Sequence, residues 1–245
     1  MNAPRASSAP RSPRRVLVVG GTGQLGVAIA RGLAQRGDAV LLSARDPEKL
    51  DRIAAELRTL GPGRHGYLSV DLRDRDAPQR VVAGVIAWGG VEDVVLACGP
   101  FPRTPLDDLT REDLEGTFSV HAVAPLLIVS ALSPQLIAAN GAVVALGDAG
   151  VTRPYTNHVA YITAKGALQT GLRALSVELA PHVRVNVLAL GIVADEEADA
   201  DPLRTHRLKA RSPLGRFGTA AEVVHATLSL LDASWATGEV WGIGR

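Results

Sequence analysis

Val16-Leu17-Val18-Val19, then Gly20-Gly21-Thr22-Gly23-Gln24-Leu25-Gly26, then Val27-Ala28-Ile29-Ala30-Arg31-Gly32-Leu33: the fold is decided in this stretch. Four aliphatic residues in a row, three of them β-branched, suit a strand buried on both faces. A glycine-rich turn follows, and the apolar residues after it recur at helical spacing. Glycines at 20, 23 and 26 permit a tight turn, a close approach of backbone to a pyrophosphate, and close packing of helix on strand. The helix N-terminus then presents its free N–H groups to the phosphates. The stretch is the first strand–helix unit of a dinucleotide-binding fold. Gly20, Thr22, Gly23, Gln24, Leu25 and Gly26 form the phosphate cradle.

Outward from there, strand-like and helix-like runs alternate. Strands are expected at 39–43, 66–70, 93–97, 141–146, 183–188 and 239–243, and helices at 47–60, 77–88, 110–132, about 160–180 and 220–231. That order predicts an α/β fold: a doubly wound parallel sheet of about seven strands, helices on both faces, in one domain over residues 15–245. Residues 1–14 are rich in Pro, Ser, Ala and Arg without an acid or an apolar core segment, so they read as a disordered tail rather than a secretory signal. Pro4, Pro10 and Pro13 would also break the amphipathic helix of a transit peptide.

Composition narrows the function classes. With 245 residues and 47% hydrophobic content the chain can bury a large core. A net charge of +1 with no basic patch argues against nucleic acid as a partner. No stretch is expected to reach the roughly 20 apolar residues of a membrane span. Cys98 is the only cysteine, which rules out an internal disulfide and fits a reducing, cytoplasmic setting. The histidines show no close pair at metal-ligand spacing, so no metal is expected.

The chemistry is carried by Tyr161-Ile162-Thr163-Ala164-Lys165. A Tyr and a Lys four apart on a helix share one face. An ammonium beside a phenol is expected to pull its pKa from about 10 toward neutrality. The phenol can then exchange a proton with a carbonyl or imine while hydride arrives from elsewhere.

Together these motifs resemble the short-chain dehydrogenase/reductase family from about residue 15 to 245. Val70-Asp71-Leu72 is similar to the family's adenine-contacting segment, Asn186 through Gly191 to its turn after the sixth strand, and Pro213 through Thr219 with Thr237-Gly238 to its C-terminal signature. The resemblance implies a small-molecule substrate, pairing into homodimers or homotetramers through the two long helices, and cofactor contacts at Ser43, Arg45, Asp71, Leu72, Ala97, Cys98, Gly99, Gly191 and Val193 besides the cradle. Lys165 would hold the nicotinamide ribose, Tyr161 would donate the proton, and His121 aligns with the asparagine of the family's proton-relay helix. A backbone-satisfied buried histidine is the alternative for His121. Strand two ends Ala44-Arg45 with no acid for a ribose 2′-OH, so Arg45 points to NADPH/NADP+.

Departures from the family pattern sharpen the reading. Thirteen residues before Tyr161, where a serine is usual, stands Asp148. An aspartate there resembles the pteridine and dihydromonapterin reductases, which shifts weight toward reduction of a C=N bond, because a carboxyl can anchor or protonate a nitrogen. Asp148 as a plain turn cap is the alternative. Leu96-Ala97-Cys98-Gly99 replaces the family's two amide side chains, and Leu190 its proline. A ketone or 3-oxoacyl reductase and a non-catalytic NADP(H) sensor remain open. The acidic run within 193–211 reads either as a substrate lid or as a solvated loop.

Overall fold

The computed structural model describes residues 12–194, 202–210 and 212–244. Seven strands form one sheet in the order β3-β2-β1-β4-β5-β6-β7, and every neighbouring pair is parallel. They are β1 (Arg15–Val19), β2 (Ala39–Ala44), β3 (His65–Ser69), β4 (Asp93–Leu96), β5 (Ala142–Asp148), β6 (Arg184–Leu190) and β7 (Val240–Ile243). Parallel neighbours need long crossovers. These are supplied by α1 (Gln24–Gln35), α2 (Pro47–Leu60), α3 (Ala77–Trp88), α4 (Arg111–Phe118), α5 (Ala124–Ala138), α6 (Val159–Glu178), α7 (Pro202–Lys209) and α8 (Ala220–Asp232).

Val16 to Val19 are fully buried, as a central strand covered on both faces requires, and their side chains alternate between two cores. Leu17 and Val19 join one core with α3 and α5; Val16 and Val18 join the other with α1, α2 and α8. Burying four such side chains contributes roughly 6–12 kcal/mol before the entropy of ordering them. The sheet reverses its winding between β1 and β4, so the carboxyl ends of these strands frame the crevice where ligands bind in such folds.

Four expectations need correction. The single helix expected over 110–132 is two, α4 and α5, joined by a π turn at Ser119–Val123. Pro125 has no N–H to give the carbonyl four residues back, that of His121, and the chain widens by one residue there. Together Arg111–Ala138 is long and apolar enough to cross a membrane, which composition was expected to exclude. In this fold its apolar side chains Ile128, Val129, Leu132 and Leu136 are instead core. Arg14, assigned to the tail, is tied in: its backbone N–H donates to Asp38 at 2.8 Å and its guanidinium pairs with Asp93 at 3.0 Å. Finally, of the apolar residues on the two long helices through which pairing is expected, Ile128, Val129, Ala164, Leu168 and Leu172 are instead buried in the chain's own core, and Leu127 is exposed. The acidic residues of the 193–211 segment lie outside the described residues, while 202–209 within it is helical.

Candidate active site

Gly20 has φ +87°, and a Cβ there would stand 2.4 Å from the Ala97 carbonyl oxygen. Gly26 is closed by the same turn: its Cβ would meet the Gly20 carbonyl at 2.2 Å. At Gly23 a Cβ would meet only the Gly20 oxygen, at 3.5 Å, and no side chain caps the start of α1. The first and third glycines thus serve packing, and the middle one leaves an uncapped helix end open to an anion. These residues fit a dinucleotide pyrophosphate. Ser43 contributes through its backbone, its carbonyl accepting from Gly20 N at 2.8 Å and Gly21 N at 3.1 Å, while its hydroxyl is buried. Gln24 turns away, donating to the Ala194 carbonyl at 2.9 Å and linking the cradle to the chain after β6.

Arg45 is exposed just past β2, and Asp46 caps α2 by accepting from Lys49 N at 2.9 Å. Asp71 is gripped by Arg73 through Nε at 3.1 Å and Nη2 at 2.6 Å, and this pairing holds its carboxyl below the usual range. Leu72 is buried and its carbonyl accepts from Ser119 Oγ. Gly191 packs on Gly244, with 1.9 Å between a Cβ there and the Gly244 oxygen, and Val193 bridges to Gly218. Asn186 pins the last crossover, donating to Ala236 O and accepting from Glu239 N.

The residues expected to transfer the proton sit where β5 ends and α6 begins. Asp148, the last residue of β5, uses both oxygens. Its Oδ1 accepts from Gly150 N at 2.6 Å, capping the short turn at Ala149–Val151. Its Oδ2 accepts from Tyr161 Oη at 2.9 Å and from Tyr155 Oη at 3.0 Å. Asp148 therefore caps the turn with one oxygen and accepts from both phenols with the other.

Lys165, one turn along α6, is buried and donates to the Leu146 carbonyl at 2.8 Å. Its ammonium lies over the Tyr161 ring, 5.8 Å from the centroid, rather than at the hydroxyl. Burial pulls the Lys165 pKa down; burial and then the Asp148 charge push the Tyr161 phenol well above its ordinary value. This reverses the expectation of a lysine-lowered phenol: burial first, and then a carboxylate at hydrogen-bond distance, outweigh an ammonium directed at a backbone carbonyl. Both effects favour the protonated phenol.

His121, in the π turn, is 1% exposed. Its Nε2 bonds the Pro100 carbonyl at 2.9 Å, so that nitrogen carries the proton, and among the described residues Nδ1 has no hydrogen-bond partner. Burial lowers its pKa to about 3, aided by the Lys165 charge. The ring fills space that only glycine leaves, since a Cβ on Gly99 would lie 1.9 Å from His121 Cε1. Cys98 is buried, its thiol pushed up by burial and donating weakly to the Val120 carbonyl at 3.6 Å. Its neighbour Ala97 pairs by its N–H with Val19 O.

Sequence reading missed the aromatic cluster around Tyr161. Phe101 stacks on His158 at 4.1 Å between centroids and meets Tyr161 edge-on at 4.8 Å; Tyr155 lies 5.3 Å from His158. His158 is fixed by the Pro102 carbonyl at 2.8 Å, and a cavity of about 380 Å³ lined by Arg103, Thr156, Asn157 and His158 adjoins the cluster. Polar aromatics in the loop between Asp148 and Tyr161 were the available signal.

A family profile described as enoyl-(acyl carrier protein) reductase matches residues 22–243. L-xylulose reductase of Bos taurus is 32% identical over 233 residues, covering 92% of each chain. Dehydrogenase/reductase SDR family member 4 of Sus scrofa is 31% identical over 244 residues, 96% of this chain and 87% of that protein. The crystal structure of a 3-oxoacyl (acyl-carrier-protein) reductase from Agrobacterium tumefaciens C58, with NADP bound, superposes with a TM-score of 0.88 at 27% identity over 96% of this chain and 93% of that one. These matches lead to one conclusion: the chain belongs to the short-chain dehydrogenase/reductase family and is an oxidoreductase.

Proposed function

We propose that this protein reduces a C=N or C=O bond of a small polar substrate with NADPH, Tyr161 giving the proton. The carrying observation is the 2.9 Å bond from Tyr161 to Asp148, which sets a phenol and a carboxylate side by side and, with burial, favours the phenol that carries its proton. When bound, the dinucleotide supplies the hydride. Lys165 would hold the nicotinamide ribose, and Arg45 would take the 2′-phosphate that separates NADPH from NADH. The NADP-bound relative supports that choice.

Asp148 sets the substrate class. Its carboxylate sits beside the proton donor, where it can anchor an N–H or a cationic nitrogen, which favours a heterocyclic, pteridine-like C=N substrate. The named relatives favour a second reading, reduction of a sugar-like or acyl ketone. Asp148→Ser separates the two: the carboxylate reading expects kcat/KM to fall far more on an imine or dihydropterin than on a ketone, at an unchanged melting temperature. Equal losses on both, tracking a lower melting temperature, would leave Asp148 structural. We further read exposed Leu127 on α5 and Val159 and Val177 on α6 as part of a subunit-pairing surface, and the setting as cytoplasmic.

A further inference from the structure

Each reductive turnover leaves Tyr161 one proton short, and the proton must return from water. Among the described residues, His121, aligned with the family's relay asparagine, is hydrogen-bonded to Pro100 rather than to Tyr161 or Lys165. Its Nδ1 has no hydrogen-bond partner among them, and it meets Tyr161 ring to ring, at 5.1 Å between centroids. Lys165 is buried on the Leu146 carbonyl. Among the described residues, Tyr161 is hydrogen-bonded by its hydroxyl to Asp148, and Asp148 leads to Tyr155.

The loop is shaped for that arrangement. Tyr155 is half-buried, on the strand-to-helix loop rather than in the core. Its ring lies over Gly150, where a Cβ would stand 2.4 Å from Tyr155 Cε1 and 2.8 Å from Asp148 Oδ1. Any larger residue at 150 would push the phenol off the carboxylate.

Resting on the reductase reading, we propose that Tyr155 is a positioning residue that returns the proton to Tyr161 through Asp148 after each turnover. In the chemical step the Tyr161 O–H bond breaks as the substrate N–H or O–H bond forms, leaving a phenolate beside Asp148. Tyr155 passes its proton to Asp148 Oδ2. A turn about the Cγ–Oδ2 bond presents that proton to the Tyr161 oxygen, which takes it, and Asp148 is a carboxylate again. Tyr155, now the phenolate, takes a proton from solvent water. The net change is one solvent proton consumed per hydride transferred.

The test compares one turnover with many. NADPH oxidation is followed by absorbance for native protein and Tyr155→Phe, once with enzyme in excess of substrate and once in steady state. The relay predicts an unchanged single-turnover rate and a steady-state kcat lower by about tenfold or more, short of the roughly 10²–10⁴ loss of the acid itself. It also predicts that a small buffer acid added at constant pH restores the steady-state rate of Tyr155→Phe. Equal losses in both regimes, or none in either, would overturn it. If Tyr155→Phe does not fold, the native protein decides: the solvent deuterium isotope effect must be larger in steady state than in a single turnover, and equal effects overturn the relay. Absence of NADPH oxidation by native protein on a panel of imines, dihydropterins and ketones would instead overturn the reductase reading.

Discussion

Replacing Gly99 with Ala should destabilise the protein, and most of the loss should trace to His121. Gly99 has φ +108°, and holding a non-glycine residue in so sparsely populated a region costs about 1–3 kcal/mol. The added Cβ would lie 1.9 Å from His121 Cε1 and 2.4 Å from Nδ1. The ring is 1% exposed and has nowhere open to move, so overpacking adds about 1–3 kcal/mol. Displacing it also strains or breaks the 2.9 Å bond to Pro100, about 0.5–1.5 kcal/mol more. Gly99→Ala should therefore cost about 3–7 kcal/mol in all. In a His121→Ala background the ring is gone and only the backbone cost of about 1–3 kcal/mol remains. Urea unfolding of the native protein, both single variants and the double variant closes the cycle, with an expected coupling of about 1.5–4.5 kcal/mol. The same cost in both backgrounds would refute the steric argument.

Other outcomes follow from the same geometry. Arg45→Ala should weaken NADPH binding by about 1–3 kcal/mol and leave NADH unchanged, read by titration; tighter NADH than NADPH binding by the native protein would contradict the role of Arg45. Acid should destabilise the fold through its neutral buried histidines. Burial depresses the pKa of His65, and burial with the Lys165 charge takes His121 to about 3, so the unfolded chain binds protons that the fold refuses. Stability should fall as pH drops below about 6.5, by up to about 1.4 kcal/mol per pH unit for each histidine. His121→Asn should make that slope shallower, and an unaltered slope would contradict the assignment.

The fold was legible because its signals are local and repeated. Val16 to Val19 with the glycine turn fixed the first crossover, and α2 and α3 begin and end where Pro47, Asp46 and the flanking glycines place them. The break at Ser119–Val123 was not legible from apolar content, since a π turn leaves the hydrophobic run intact. The site was legible as a set of residues, with less of its electrostatics. Spacing put Lys165 beside Tyr161, but helical neighbourhood does not say where an ammonium points, and here it is turned to Leu146. His121 was noticed as a departure by itself; in space its ring occupies the room that the missing Cβ of Gly99 leaves. Tyr155 escaped notice because its partner is defined by a loop, whose conformation periodicity does not encode.

Tyr161, beside Asp148, is proposed above as the proton donor of an NADPH-dependent reduction. Tyr161→Phe tests it most directly, in a steady-state assay of NADPH oxidation with a substrate that the native protein turns over, alongside NADPH binding by fluorescence. The account predicts a kcat lower by about 10²–10⁴ with NADPH affinity retained. Turnover at the native rate by Tyr161→Phe would contradict it.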